Sequence, residues 1–106
     1  MLQKIKQEHV NDENGNPSGG ETTGVGIGIV WQKGPLGRGA DRKEPNGAFV
    51  EGVIAAAIGR IEYYQASAFK CRENAIALTH LETALLWLQK RTMEREAREV
   101  EGTHVA

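Results

Sequence analysis

The sequence predicts an α+β fold dominated by helices: a short N-terminal β segment followed by two long antiparallel helices, assembled as a homo-oligomer. Residues 25–32 alternate with a period of two, which is typical of a strand with one apolar face. Residues 47–66 and 72–99 carry apolar side chains at intervals of three and four, which is typical of amphipathic helices. The chain has 106 residues, of which 40% are hydrophobic and 13 are glycine. A single copy therefore has a marginal core and would gain from burial against other copies.

Residues 1–24 are predicted to form a flexible N-terminal arm, and residues 25–106 a single folded domain. The stretch "NDENGNPSGGETTG", residues 11–24, consists of residue types that favour turns and solvated backbone and that cannot anchor a core. Within the arm, residues 2–10 have the composition of a short strand or helix.

The first element of the folded domain is the strand 25–32. Its apolar face carries Val25, Ile27, Ile29 and Trp31. The segment "KGPLGRGADRKEPNG" that follows is rich in glycine, proline and charge, and is therefore predicted to be a loop.

The first helix is predicted from about residue 47 to residue 66, with Asn46 as its N-cap. Its broad apolar stripe recurs at helical spacing, at Val50, Ile54, Ala57, Ile61, Tyr64 and Ala68.

The second helix is predicted from about residue 72 to residue 99. Four leucines hold the spacing that a helical hairpin or an inter-subunit bundle requires, namely Leu78, Leu81, Leu85 and Leu88. Gly102 is expected to follow the helix end, and the last residues, "VEGTHVA", to return as a short strand beside residues 25–32.

Charge and composition exclude several classes of function. The net charge of −1 argues against coating DNA, RNA or an anionic membrane through bulk charge. The single cysteine fits a reducing compartment, and no apolar run reaches the roughly 18 residues that a membrane span needs. The sequence therefore predicts a soluble intracellular protein.

No catalytic, metal or cofactor site is predicted. The histidines and Cys71 are scattered, without a pair at ligand spacing. The glutamates of the second helix alternate with arginines and do not converge on one face, so they cannot form a metal clamp. The glycines of "GVGIG" and "GPLGRG" lack the strand–turn–helix context of a dinucleotide fingerprint.

An arginine cluster near the end of the second helix is the strongest candidate for function. Arg91, Arg95 and Arg98 fall within roughly 60° of one another on a helical wheel. They are either a solvated helix end, with Glu94 pairing across one turn, or an anion-binding face. Flat rings and an amide elsewhere in the chain favour a nucleotide ligand, and these are Trp31, Tyr63, Tyr64 and Asn74. Arg38, between glycines in "LGRG", is a further candidate anion contact.

Four segments carry a resemblance to a known family: "WQKGPLGRG", "PNGAFVEGVIAAAIGRIEYYQ", "FKCRENAIALTHLETALLWL" and "KRTMEREAREVEGTH". Together they resemble the phage anti-defence sponges, which comprise the Thoeris anti-defence sponge and its anti-CBASS relative. The resemblance covers residues 31–104.

The resemblance implies a protein that is not an enzyme and that holds cyclic nucleotide signals of bacterial immunity away from their effectors. The implied ligand is the cyclic ADP-ribose isomer of Thoeris or a CBASS cyclic di- or trinucleotide. The implied assembly is a homo-oligomer in which a dimer forms the pocket and a hexamer is the candidate full assembly. It implies no cofactor and no nucleic-acid or membrane partner, and it places the protein in the cytoplasm of the infected host.

The resemblance also assigns ligand-binding roles to six residues. Arg91 and Arg95 are the two arginines one turn apart on the last helix. Tyr64 is the aromatic residue at the end of the first helix, and Asn74 is the asparagine of "REN". Arg38 is the arginine before the first helix, and Trp31 is the residue on the strand near the ligand. Glu99 departs from the family pattern, which has glycine there, so the helix is expected to continue further in this chain. Two alternatives remain open: an enzyme that hydrolyses the same nucleotides, and a structural phage protein whose arginines pair with a neighbouring subunit.

Overall fold

The computed structural model describes residues 4–106 and confirms the α+β class. The described chain divides into two compact units. One unit contains the residues up to Phe49 together with Val100–Ala106, and the other is Val50–Glu99. The strand after residue 24 pairs with the strand before it, so the first unit extends across the boundary that was predicted at residue 24.

The first unit is built on an antiparallel sheet of three strands in the order β1-β2-β3, which are Lys6–Asn11, Pro17–Gly24 and Ile27–Val30. The expectation of a flexible arm is wrong for residues 6–24, which supply two of the strands; residues 1–3 of that arm lie outside the described residues. The polar residues that suggested a solvated segment form a tight turn instead. In this turn Asp12 Oδ1 accepts the backbone N–H groups of Asn14 at 2.9 Å and Asn16 at 3.0 Å.

A polar side chain occupies the centre of the sheet. Thr22 on β2 is 5% exposed, and no other described residue is as deeply buried. Its Oγ1 donates to Gln7 Oε1 at 2.7 Å and accepts the indole N–H of Trp31 at 2.8 Å. Because the hydroxyl group of Thr22 both donates and accepts a hydrogen bond, its burial does not carry the cost of an unsatisfied polar group.

The turn between β1 and β2 contains a carboxyl group, that of Asp12, whose pKa is lowered in the folded protein. Backbone donation from Asn16 is the largest cause that lowers the pKa of Asp12 below 3.8, and His104 Nδ1 lies 3.8 Å from its Oδ2. A carboxyl group with a lowered pKa in the folded state contributes stability above its unfolded pKa, and this contribution is lost as the pH falls through the folded value.

We therefore expect the protection of the Asn14 and Asn16 amides against exchange, measured relative to the intrinsic exchange rate at each pH, to decrease as the pH is lowered below about 4. The variant Asp12→Asn should remove most of this pH dependence. Hydrogen exchange followed by NMR between pH 6 and pH 3 measures both, and an identical pH dependence in the variant would assign the effect to another carboxyl group.

The third strand is shorter than residues 25–32, since Val25 and Gly26 lie in the turn that precedes Ile27. Trp31 instead forms an isolated parallel bridge with Ala48. The terminal segment 100–106 is not a strand, which corrects that expectation. It lies against the loop after β3, where Gly37 N donates to Gly102 O at 2.7 Å and Arg42 pairs with Glu101.

The second unit is a helical hairpin of α1, Val50–Gln65, and α2, Arg72–Ala97. The first helix begins three residues later than predicted because the residues before it, up to Phe49, belong to the first unit. Ala48 N donates to Val30 O at 2.7 Å. Asn46, the predicted N-cap, donates its backbone N–H to Gln32 Oε1 and exchanges hydrogen bonds with the backbone of Lys33. The second helix ends at Ala97, and Glu99 adopts φ 60°. The helix thus does not continue further, and a glutamate takes the left-handed conformation that glycine adopts at lower cost.

The hairpin packs its apolar residues only partly. The residues between the two helices are half-buried, and these include Ile54, Ile58, Ile61, Leu78, Leu81, Leu85 and Leu88. No hydrophobic side chain among residues 4–106 is fully buried, and Leu86, Trp87 and Met93 are each at least 65% exposed. Neither helix of this part of the chain is both long and apolar enough to cross a lipid bilayer.

Candidate functional site

The loop end of the hairpin holds two of the predicted residues. Tyr64 lies in the last turn of α1, and Asn74 in the first turn of α2. A clamp between the helix ends fixes the loop, since Gln65 Nε2 donates to Cys71 O and Gln65 Oε1 accepts from Cys71 N, both at 3.0 Å. Tyr64 and Asn74 thus lie at the same end of a hairpin whose connection is held by hydrogen bonds.

Arg60 contacts both tyrosines at this end of the hairpin, and Arg60, Tyr63 and Tyr64 together form an aromatic cluster. Its guanidinium carbon lies 4.9 Å from the ring centroid of Tyr64 and 5.0 Å from that of Tyr63, and its Nε donates to the hydroxyl group of Tyr64 at 3.1 Å. The two ring centroids are 6.1 Å apart. These distances are within the range of cation–π attraction and aromatic contact. Tyr63 is 64% exposed and Tyr64 37%.

Arg60 is a residue that the sequence interpretation missed. The signal was present, because residues three and four positions apart on a helix are neighbours, and "RIEYY" places an arginine at both spacings from the two tyrosines. The sequence interpretation considered the arginines near the end of α2 and the rings on α1 as separate features, so it did not connect Arg60 with the rings.

The arginine pair lies at the other end of the hairpin. Arg91 and Arg95 are one turn apart on α2, so their side chains leave the same face of the helix. Arg91 is exposed and Arg95 half-buried. Glu94, which the solvated-end interpretation paired with Arg91 or Arg98, forms its ion pair with Lys90 at 3.6 Å. Among residues 4–106 no carboxylate forms an ion pair with Arg91.

An exposed ring accompanies the arginine pair. Trp87 precedes Arg91 by one turn and is 65% exposed, with Lys90 Nζ 5.1 Å from its ring. Its exposure leaves a flat apolar surface one helical turn before Arg91.

Within one hairpin the predicted residues form two groups and not one pocket. Arg91 lies roughly 25 Å beyond Asn74 along the axis of α2, at about 1.5 Å per residue. A mononucleotide cannot contact both ends of such a helix. The aromatic cluster with Asn74 and the arginine pair are therefore two separate groups of residues within a single chain.

The two remaining predicted residues belong to the first unit, and each already has a partner there. The indole N–H of Trp31 donates to Thr22, and its ring is half-buried. Arg38 precedes a short 3₁₀ helix, Gly39–Asp41, and its guanidinium donates to the carbonyl oxygen of Glu101 at 3.1 Å. Arg38 is nevertheless exposed, and a guanidinium group has further N–H donors.

No group of three or more histidine, cysteine, aspartate or glutamate side chains is placed to hold a metal ion within residues 4–106. Cys71 is an exposed free thiol at the start of α2.

Comparison with known proteins places the hairpin in a family. The family described as Acb2/Tad1, hairpin domain, matches residues 25–93, a range that includes α1, Arg91 and most of α2. Thoeris anti-defense 1 from Bacillus phage SBSphiJ7 is 61% identical over 59 residues, which are 56% of this chain. The matched segment spans 42% of the length of that relative. The resemblance inferred from the sequence is thereby confirmed: this chain belongs to the Acb2/Tad1 hairpin-domain family.

Proposed function

We propose that this protein is a phage-encoded anti-defence sponge, which binds and sequesters cyclic nucleotide signals of bacterial immunity in the host cytoplasm without degrading them. The name of the Bacillus phage relative supports the anti-defence role. The observation that supports nucleotide binding most strongly is the pair of half-sites on one hairpin: an aromatic cluster with Asn74 at one end and Arg91 with Arg95 at the other.

The half-sites match the chemical groups of a cyclic ADP-ribose isomer. Its pyrophosphate carries two negative charges, which Arg91 and Arg95 bind through charge-assisted hydrogen bonds, each contributing about 1.5–3 kcal/mol when shielded from water. Its adenine stacks on Tyr64 for about 1–3 kcal/mol. The side-chain amide of Asn74 offers a donor and an acceptor to a base edge or to ribose hydroxyls. Cyclic di- and trinucleotides present the same combination of phosphate and base.

The complete pocket is proposed to form between two copies of the chain. The half-sites are roughly 25 Å apart along α2, too far for one nucleotide to join them within one copy. A second hairpin packed in the opposite direction would place its Arg91 and Arg95 beside Tyr64 and Asn74 of the first. The exposed side chains of Leu86, Trp87 and Met93 supply apolar area for such packing. We propose a dimer as the pocket-forming unit, and a hexamer as the larger assembly. Arg38 and Trp31 are proposed to contribute further ligand contacts from the first unit.

Recovery of an intact ligand tests this function directly. The purified protein is incubated with the cyclic ADP-ribose isomer and with cyclic di- and trinucleotides, filtered, and heated to release bound material. We expect chromatography and mass spectrometry to return one of these ligands unchanged, since binding by arginine, asparagine and a stacked ring requires no bond of the ligand to break. A converted ligand would indicate the hydrolase alternative, and retention of no nucleotide would favour a structural phage protein.

A further inference from the structure

The guanidinium group of Arg60 places a positive charge beside the rings of Tyr63 and Tyr64. The Nε of Arg60 is used by the hydroxyl group of Tyr64, which leaves four N–H donors on its two terminal nitrogens. No carboxylate of residues 4–106 forms an ion pair with this guanidinium. The nearest acid along the helix, Glu62, is two positions away and therefore leaves a different face. An uncompensated positive charge is thus held in contact with two exposed rings.

The geometry restricts what this cluster can bind. The guanidinium group covers one face of the rings at about 5 Å, so a planar ligand must use their remaining faces. A ligand that carries a phosphate next to its base would contact a ring and the free N–H groups of Arg60 together. A neutral planar ligand would gain the ring contact alone.

We propose that Arg60 is a specificity-determining residue of the ligand site: it holds the ring of Tyr64 in position and binds a phosphate group of the nucleotide whose base stacks on the tyrosines. This inference rests on the proposed function. It adds to the half-site of Tyr64 and Asn74 an anion contact that is independent of Arg91 and Arg95.

The test compares Arg60→Gln, Arg60→Lys and wild type in the full-length protein. The probes are the cyclic ADP-ribose isomer and a 3′,3′-linked cyclic dinucleotide, titrated by calorimetry at several salt concentrations. Lys43→Gln is the matched control, because it removes the same charge from an exposed side chain of the first unit. Circular dichroism and Tm confirm that each variant is folded.

We expect Arg60→Gln to weaken binding about tenfold and to reduce its dependence on salt, since one shielded charge contact is lost. Arg60→Lys should keep most of the salt dependence but not the affinity, because an ammonium group lacks the planar fork that fits both ring and phosphate. Lys43→Gln should bind as wild type does. A merely structural role for Arg60 would lower Tm and leave the salt dependence unchanged.

Two outcomes would overturn the inference, and they are distinguishable. If Arg60→Gln binds the probes with wild-type affinity and salt dependence, the inference fails while the proposed function stands. If wild type binds neither probe nor any other cyclic nucleotide, both fail together.

Discussion

Replacing Arg91 with alanine is expected to weaken cyclic nucleotide binding by about a hundredfold, the equivalent of roughly 3 kcal/mol. The guanidinium group is exposed, no described carboxylate pairs with it, and it shares a helix face with Arg95. Its removal therefore costs little within the chain itself and mainly deprives the ligand of a bidentate phosphate contact. Calorimetric titration with the cyclic ADP-ribose isomer and with a cyclic dinucleotide measures the loss of affinity.

Lys90→Ala is the matched control, since it removes a positive charge from the adjacent position of the same helix turn. We expect a much smaller effect from it, because Lys90 is already engaged by Glu94 and by the ring of Trp87. Equal losses in both variants would indicate that general positive charge, and not the placement of Arg91, attracts the ligand.

Mixing two inactive variants tests whether the pocket is shared between copies. In a dimer assembled from Arg91→Ala and Tyr64→Ala chains, one of the two pockets regains a complete set of residues. Subunit exchange at equal concentrations should therefore restore about one quarter of the binding sites. If the mixture stays inactive although the subunits exchange, the arginine pair and the aromatic cluster do not serve one shared pocket.

Replacing Gly20 with alanine is expected to destabilise the first unit by about 3 kcal/mol. Gly20 has φ +126°, a conformation that is almost restricted to glycine, and an added Cβ would collide with the carbonyl oxygen of Glu8 on the neighbouring strand. Relief of that clash would require separation of β1 from β2. Thermal unfolding followed by circular dichroism at fixed protein concentration should show a Tm lower by about 10 °C or more.

Gly28→Ala in the same sheet is the control for this substitution. A Cβ at that position has no neighbouring heavy atom within 4 Å, so the change in stability should stay within about 0.5 kcal/mol. Similar Tm values for the two variants would contradict the pairing of His9 with Gly20 that defines the first hairpin.

The helices were predictable because helix formation follows local spacing. Apolar residues at intervals of three and four identified both helices, with errors of at most three residues at the ends. The start of α1 was displaced by a distant contact, since the backbone of Ala48 is hydrogen-bonded to Val30 and Gln32. Such a bridge between residues far apart in sequence leaves no periodic signal.

The second strand was missed, and the first was left open between a strand and a helix, for a related reason. Their residues are polar, and a strand without an apolar face resembles a solvated segment when composition is the guide. The chain of hydrogen bonds from Trp31 through Thr22 to Gln7 stabilises them, because it joins β1 and β2 to the residue that follows β3 around the buried threonine. The partners of a buried polar side chain depend on how the chain folds back, and a count of residue types cannot reveal them.

The sequence by itself determined the two helices, the arginine pair one turn apart and the membership in the hairpin-domain family, because these depend on residue order and on the 3.6-residue period of the helix. Only the tertiary structure decided which side chains are already engaged by other segments of the chain: Trp31 by Thr22, and Arg38 by the carbonyl group of Glu101. It also decided that the arginine pair and the aromatic cluster lie at opposite ends of one hairpin. The physical reason is that chain reversal at residues 66–71 places Asn74 beside the end of α1, so that the length of α2 separates it from Arg91.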